Sequence, residues 1–145
     1  MNDQVGCDGG HRTFTQDGGG VVVEGWATSR GGCLEELVRG FVSTFADARS
    51  DVGSDELPVQ LGARCDEDVV AVLLDDVCSL LDVDGLVVVD VALDEEQHDC
   101  FAGTFFVAPA EAVVLTGTGA RGVSGSDLQF APDGAVWRGH VHINT

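Results

Sequence analysis

The feature that most constrains the fold of this chain is a strand-like run that leads into a strongly amphipathic helix, within residues 21–49. Residues 21–27, Val-Val-Val-Glu-Gly-Trp-Ala, are rich in the β-branched and aromatic side chains that favour strands. Apolar residues then recur every three or four positions, which predicts one apolar stripe along a helix. They are Leu34, Leu37, Val38, Phe41, Val42 and Phe45, and the opposite face carries Glu35, Glu36, Arg39 and Asp47. This pattern predicts structure but no chemistry.

A second helix and several strands are predicted further along the chain. Asp66 is expected to cap a helix that ends at Gly85. Its apolar positions keep helical spacing and are Val69, Val70, Leu73, Leu74, Val77, Leu80 and Leu81. Strand patterns cover residues 58–64, 86–92, 100–108, 112–116, 123–131 and 135–144. The order is β-α-β-α followed by a β-meander, which predicts an α+β two-layer domain with two helices on one face of a mixed or antiparallel sheet.

The first part of the chain differs in composition from the rest. Residues 1–19 are rich in glycine, aspartate and other polar residues, and we expect a flexible N-terminal tail there. Residues 20–145 are then expected to form a single domain, since 145 residues suffice for one core. The sequence shows neither a signal peptide nor an apolar run of membrane-spanning length, so we expect a cytosolic protein.

The charge of the chain restricts the partners that it can bind. It has 25 acidic and 7 basic residues, for a formal net charge of −18. This charge repels polyanions and makes independent binding of DNA or RNA unfavourable, whereas a basic protein partner is compatible with it. A solvated surface without a recognition role is the simpler interpretation of the acidity.

The five cysteines give no sign of a disulfide framework or a zinc ribbon. Their number is odd, they are spread along the chain and no pair has C-x-x-C spacing; they are Cys7, Cys33, Cys65, Cys78 and Cys100. We expect reduced thiols. Two of them lie in helical patterns, where a buried thiol acts as a small apolar group, so we assign none a catalytic role.

Three short segments match ligand-binding motifs only in part. Residues 117–122 read G-x-G-x-x-G, but the residues after them predict a strand instead of the helix that a dinucleotide site needs. Residues 82–85, Asp-Val-Asp-Gly, lack the spacing of a calcium loop and are better explained as a helix end. Residues 94–96, Asp-Glu-Glu, are predicted to form a solvated hairpin turn. We assign no site to any of them.

The last strand carries the most interesting polar face. Arg138, His140, His142 and Asn144 alternate with apolar residues and therefore share one face of the strand. A His-x-His pair on a strand can bind a metal, although a site needs three or four ligands. The others would have to come from Asp17, His11 or Asp127. A polar face turned to solvent is the simpler alternative, and motifs of serine hydrolases, P-loop proteins and zinc proteases are absent from the sequence.

The order of several segments resembles the archease family. The resemblance begins at residues 10–13, Gly-His-Arg-Thr, and includes Val23-Glu24-Gly25-Trp26 and the first helix from Cys33 to Asp47. It continues through the second helix, residues 66–85, and ends in a hairpin that contains Leu128-Gln129-Phe130-Ala131-Pro132 and Trp137. Nearly the whole chain after Gly10 is covered. The resemblance implies the archease fold and a small non-catalytic protein that assists an RtcB-type RNA ligase in tRNA splicing and RNA repair, by promoting its guanylylation and turnover.

The family's metal-associated residues are only partly present. Gly20 aligns with an acidic ligand of the family, although a shifted register places Asp17 there. Arg121 matches a basic residue, Ser126 stands where the family has histidine, and Asn144 stands where it has aspartate. The His-x-His pair, together with the positions that the resemblance gives for Asp17 and Asn144, predicts a divalent-metal site at Asp17, His140, His142 and Asn144. Arg121 and Ser126 are the cofactor-binding residues that the resemblance implies. Loss of anionic ligands weakens a hard-cation site, so the resemblance supports the fold more strongly than metal-dependent activity.

A second function of a different class stays open at this point. The altered face of Arg121, Ser126, His140, His142 and Asn144 could line a site for a small molecule. In that case the fold would serve as a binding protein or a biosynthetic enzyme. A neighbouring RNA-ligase gene would favour the ligase activator, and a neighbouring biosynthetic gene cluster would favour the small-molecule protein.

Overall fold

The computed structural model describes residues 9–15, 20–44, 46–47, 55–62, 66–97, 100–112, 114–115 and 122–144, and the structural statements below concern these residues. They form nine strands, two α-helices and one short 3₁₀ helix. In chain order these are β1 (Gly10–Thr15), β2 (Val21–Ala27), α1 (Arg30–Ser43), β3 (Ala46–Asp47), β4 (Asp55–Gly62), α2 (Asp66–Asp84), β5 (Leu86–Gln97), β6 (Cys100–Pro109), the 3₁₀ helix (Ala110–Ala112), β7 (Val114–Leu115), β8 (Gly122–Asp133) and β9 (Val136–Asn144).

The described strands form two larger sheets and one small one, and every described pairing is antiparallel. The order is β1-β2-β9-β8 in the four-stranded sheet, β4-β6-β5 in the three-stranded sheet and β3-β7 in the two-stranded sheet. The α+β class with two helices on antiparallel strands is therefore confirmed. The predicted meander is divided, because β5 and β6 belong to one larger sheet while β8 and β9 belong to the other.

Helix α1 packs between the two larger sheets, against β1, β2 and β9 on one side and β5 on the other. Its approach to the four-stranded sheet is close because two glycines, Gly25 and Gly139, lie opposite each other in β2 and β9. Leu37 of α1 fills the space above them, and a Cβ atom on Gly139 would lie 2.5 Å from Leu37 Cδ1. We call the sheet face that contacts α1 the inner face. Residues that alternate with these glycines point to the opposite, outer face.

The predicted stripe of α1 is confirmed over most of its length, since Leu34, Leu37 and Phe41 are fully buried. The helix begins after Ser29, whose Oγ accepts a hydrogen bond from the Gly32 N–H at 3.0 Å. It ends earlier than predicted.

The early end of α1 has a local cause. The hydroxyls of Ser43 and Thr44 donate hydrogen bonds of 2.7 Å to the carbonyls of Gly40 and Phe41. These bonds satisfy carbonyls at the end of the helix. Asp47, predicted on the helix, lies in β3 instead, and Phe45 lies outside the described residues.

Three further segments differ from their predictions. Gly10–Thr15 lies within the predicted tail but forms β1, an exposed edge strand whose polar side chains give no apolar alternation. Residues 94–96, predicted as a turn, continue β5, which tolerates charges because it is also an edge strand. Within the strand predicted over residues 112–116, Ala112 belongs to a 3₁₀ helix instead, and Val114–Leu115 form β7.

Helix α2 ends where the sequence predicted. Gly85 has a φ of +66° and its N–H donates to the Leu81 carbonyl at 3.2 Å, so the glycine supplies the left-handed conformation that closes the helix. The Asp-Val-Asp-Gly segment is thus a helix end and turn. Neither described helix has the length and apolar character needed to cross a membrane.

Candidate functional site

A row of polar side chains crosses the outer face of the four-stranded sheet. The strand register places Arg12 opposite Glu24, Glu24 opposite His140, and His140 opposite Gln129, on four successive strands. Arg12 Nε donates to Glu24 Oε1 at 2.6 Å, and His140 Nδ1 lies 3.1 Å from Glu24 Oε2. We call Arg12, Glu24 and His140 the outer trio. Its carboxylate is held on one side by a guanidinium and on the other by an imidazole.

The surroundings of Glu24 favour its charged form. Partial burial alone would raise the pKa of Glu24, but the hydrogen bonds from Arg12 and His140, together with their charges, outweigh burial and lower the pKa below 4.5. Glu24 is therefore a carboxylate at neutral pH. It can accept hydrogen bonds and orient its two neighbours, but it has no proton to donate.

The outer trio lines a small cleft of about 190 Å³. Gln129 and Arg138 complete its walls, and the backbone of Gly25 and Gly139 contributes to its lining. Arg138 Nε also donates to Asp133 Oδ2 at 2.6 Å. None of the described lining residues is a serine, threonine or cysteine. The charged and polar groups of the described lining can thus bind a polar or acidic group.

His142 lies two positions further along the outer face of β9, opposite Val22 and Ser124. Its Nε2 atom is close to Gly20, which has a φ of +90°, and a Cβ atom on Gly20 would lie only 2.6 Å from it. The position that aligns with an acidic ligand of the resembled family therefore has no room for a side chain unless the imidazole moves. His142 fills that space.

The structure brings together only part of the predicted metal site. His140 and His142 share the outer face, as predicted, but His140 already faces Glu24. Asp17 and Arg121 lie outside the described residues, as do the side chains of Ser126, Asp127 and Asn144, whose backbones belong to β8 and β9. Among the described side chains, no three histidine, cysteine, aspartate or glutamate residues are grouped as metal ligands would be. Asp17 and the Asn144 side chain are two of the four predicted ligands and lie outside the described part of the chain, so the metal site stays a prediction.

His11, the other suggested ligand, is turned away from this face. It alternates with Arg12 in β1 and so points to the inner face, where its Nδ1 lies 2.8 Å from Glu36 Oε1. Arg39 Nη1 donates to Glu36 Oε2, also at 2.8 Å. This geometry excludes His11, one of the three alternatives, as a further ligand beside His140 and His142. We call His11, Glu36 and Arg39 the inner trio.

Both described thiols lie in surroundings that suppress nucleophilic chemistry. Burial, reinforced by the charge of Glu36, raises the pKa of Cys33 to about 12, and its Sγ donates to the Gly25 carbonyl at 3.5 Å. Burial together with Asp75 and Asp82 raises the pKa of Cys78 to about 11. Because the thiolate is the reactive form, both side chains are inert at neutral pH.

Sequence reasoning did not identify Arg12, Glu24 and Gln129 as site residues. One usable signal was present, because Glu24 is the only charged residue in an otherwise apolar strand. A lone acid in such a strand needs a partner on its own face. The partners could not be identified, since Arg12 and His140 are set opposite Glu24 by the strand order and register alone.

Comparison with known proteins assigns the family. No protein-family model matches the chain. The curated "Probable protein archease" of two Mycobacterium tuberculosis strains is 30% identical over 139 residues, which are 96% of this chain and 76% of the relative.

Two solved structures share the fold. An archease of Thermotoga maritima has a TM-score of 0.62 at 17% identity, with 86% of this chain and 89% of that chain covered. A protein of Methanobacterium thermoautotrophicum has a TM-score of 0.59 at 10% identity, with 94% and 99% covered. The identity and coverage of the mycobacterial relatives, with the same fold in these structures, show that this chain belongs to the archease family.

Proposed function

We propose that this chain is a non-catalytic activator of an RtcB-type RNA ligase, acting as a chaperone-type cofactor in tRNA splicing or RNA repair. The observation that carries the proposal is family membership across 96% of the chain. In this proposal the chain contacts the ligase and does not itself bind RNA, because a net charge of −18 opposes contact with a polyanion.

We further propose that the outer face of the four-stranded sheet is the surface that meets the ligase. Arg12 is 66% exposed at the side chain, and Glu24 and His140 are partly exposed beside it. Their mutual contacts hold the three polar groups in fixed positions before a partner arrives, which reduces the ordering cost of binding. This arrangement suits a polar contact with a protein.

The activator role can be tested by measuring guanylylation of the ligase encoded in the same genome, with and without this protein. We expect acceleration by the wild type. Replacing Glu24→Gln should lower the activation about tenfold, as expected when a central interface contact is lost. Glu111→Gln is the matched control, since Glu111 is exposed and lies on the 3₁₀ helix, outside the cleft lining.

Two results would contradict this proposal in different ways. The absence of both acceleration and a detectable complex would reject the activator role. Full activation by the Glu24→Gln variant would be consistent with the activator role but would show that the outer trio is not part of the surface that contacts the ligase. A folded state of both variants, checked by circular dichroism, makes either result interpretable.

A small-molecule binding protein or biosynthetic enzyme is the competing function, and the size of the cleft at the outer trio counts against a small-molecule site on this face. Ligand pockets commonly enclose about 300–1,000 Å³, whereas the cleft at the outer trio encloses about 190 Å³. A space of this size fits a side chain of a partner better than a cofactor. A biosynthetic gene cluster around this gene, without a ligase gene, would reverse the preference.

The metal site at Asp17, His140, His142 and Asn144 remains a separate prediction. A divalent ion that binds the native state must stabilise it by mass action. If the site exists, zinc, nickel or calcium should raise the melting temperature of the chelator-treated protein, and His142→Ala should abolish the increase. No increase with any of the three ions would eliminate this prediction.

A further inference from the structure

A groove of about 440 Å³ lies between helix α2 and the edge strand β4, away from the outer trio. Leu57, Val59 and Phe105 supply apolar side chains from the three-stranded sheet, and Leu80 and Val83 supply them from α2. Phe105 is buried at 2% exposure, whereas Leu57, Val59 and Leu80 are only half-buried. The groove therefore has a well-buried base and apolar walls that remain accessible to solvent.

One stripe of α2 leaves large apolar side chains in solvent. Val72, Asp76, Ser79 and Val83 follow one another at intervals of four, three and four residues, so they share one face of the helix. Val83 is 80% exposed and Val72 is 41% exposed. The described part of the chain has three exposed large apolar residues, and two of them lie on this stripe. Exposed apolar side chains beside an apolar groove are typical of an interaction surface.

The charged residues of α2 and β4, and those of the described groove lining, are all acidic. Helix α2 contains seven acidic residues and no lysine or arginine, and β4 begins with two acidic residues, Asp55 and Glu56. Asp76 and Asp84 are themselves groove-lining residues. Positive charge near the apolar contacts of a partner is therefore favoured, because these carboxylates attract a basic segment and repel an acidic one.

The edge of β4 is poorly suited to pairing with a further strand. Pro58 removes a backbone donor in the middle of this strand, and acidic residues occupy its start. A partner that needs no backbone hydrogen bonds fits better, and an amphipathic helix meets that requirement by placing one apolar face in a groove. We propose that the groove between α2 and β4 binds an amphipathic helix of a partner protein, whose apolar face is flanked by lysine or arginine.

This proposal does not depend on the ligase, so it can be tested with a defined probe. The probe is a synthetic leucine–lysine amphipathic helix of about 14 residues, near the length at which an isolated helix becomes stable. One control peptide has the same composition in scrambled order, and a second has glutamate in place of lysine. Calorimetric titration should show saturable binding of the amphipathic peptide and at least about tenfold weaker binding of both controls.

Protein variants then locate the binding. Val83→Ser should weaken binding by about threefold to tenfold without affecting folding, because Val83 is largely exposed. Asp84→Asn should weaken it by about threefold. Asp94→Asn removes the same charge at an exposed position on β5, at the other edge of the three-stranded sheet, and should leave affinity unchanged.

Three outcomes would overturn the proposal. Equal binding of the amphipathic and scrambled peptides would mean that only net charge matters, and no detectable binding would remove the surface altogether. Equal effects of Asp84→Asn and Asp94→Asn, with no effect of Val83→Ser, would place the contact outside the groove. Amide chemical-shift changes confined to α2 and β4 would support the assigned location.

Discussion

The outer and inner trios contain the same three residue types in different surroundings. Each has a glutamate between an arginine and a histidine. In the outer trio Glu24 lies 2.6 Å from Arg12 and 3.1 Å from His140. In the inner trio Glu36 lies 2.8 Å from both Arg39 and His11. The two sets differ in what else they contact.

The inner trio connects secondary-structure elements, whereas the outer trio lines a cleft. Arg39 Nε donates to Asp90 Oδ1 at 2.9 Å, and its Nη2 lies 3.5 Å from the Val91 carbonyl, so α1 is joined to β5. His11 joins the same helix to β1 in the other larger sheet. Arg39 is 34% exposed and Arg12 is 66% exposed. The same chemistry therefore links two sheets in one place and leaves polar groups accessible in the other.

Replacing each arginine in turn should distinguish the structural inner trio from the accessible outer trio by the loss in the free energy of unfolding. We expect the larger loss for Arg39. Arg39→Met keeps the aliphatic stem but leaves Glu35, Glu36 and Asp90 without their shared cation. We expect the free energy of unfolding to fall by about 1–2 kcal/mol, the sum of several partly exposed ion pairs. Urea denaturation at neutral pH measures this change.

Arg12→Met is the matched comparison. Arg12 makes one described ion pair and is mostly exposed, so its loss should change the free energy of unfolding by no more than about 0.5 kcal/mol. Equal losses in the two variants would show that the outer trio also supports the fold. The distinction between a structural and an accessible trio would then be wrong.

The sequence predicted the helices well because their cause is local. Apolar residues recur at helical spacing from Leu34 to Phe41 in α1 and from Val69 to Val77 in α2. Those at the predicted stripe positions belong to the buried core, as expected. The resemblance to archease proteins rested on the same segments and is confirmed by the mycobacterial relatives.

The two trios could not be predicted because their contacts are not local. Glu24 and His140 are 116 positions apart, and Glu36 and His11 are 25 positions apart. Alternation along a strand indicates which residues share a face, and it did so for Arg138, His140 and His142. It does not indicate which strand lies beside it. The order and register of the strands in the structure identify Arg12 and His140 as the partners of Glu24.

The pH dependence of the free energy of unfolding should have opposite signs for Glu24 of the outer trio and Glu35 beside the inner trio. We expect this effect to be smaller than that of replacing Arg39. The pKa of Glu24 is lowered, because Arg12 and His140 outweigh its burial. Burial raises the pKa of Glu35, with help from Asp90 and Glu36, despite the hydrogen bond from the Leu93 N–H and the charge of Arg39. Glu35 lies beside the inner trio, where its Oε1 is 3.8 Å from Arg39 Nη2.

The two shifts give opposite slopes of stability against pH. An unfolded chain binds more protons at Glu24 than the folded one between the lowered pKa and 4.5, so the stability that Glu24 provides is complete above 4.5 and is lost as pH falls through its folded pKa. At Glu35 the folded chain binds more protons between 4.5 and the raised pKa, so stability falls as pH rises through that interval. Urea denaturation of the wild type, Glu24→Gln and Glu35→Gln between about pH 3 and pH 7 isolates each contribution by subtraction. As pH increases, the free energy of unfolding of the wild type should rise relative to Glu24→Gln and fall relative to Glu35→Gln. Slopes of the same sign would show that the two carboxylates do not differ electrostatically, because desolvation would then dominate at both or at neither.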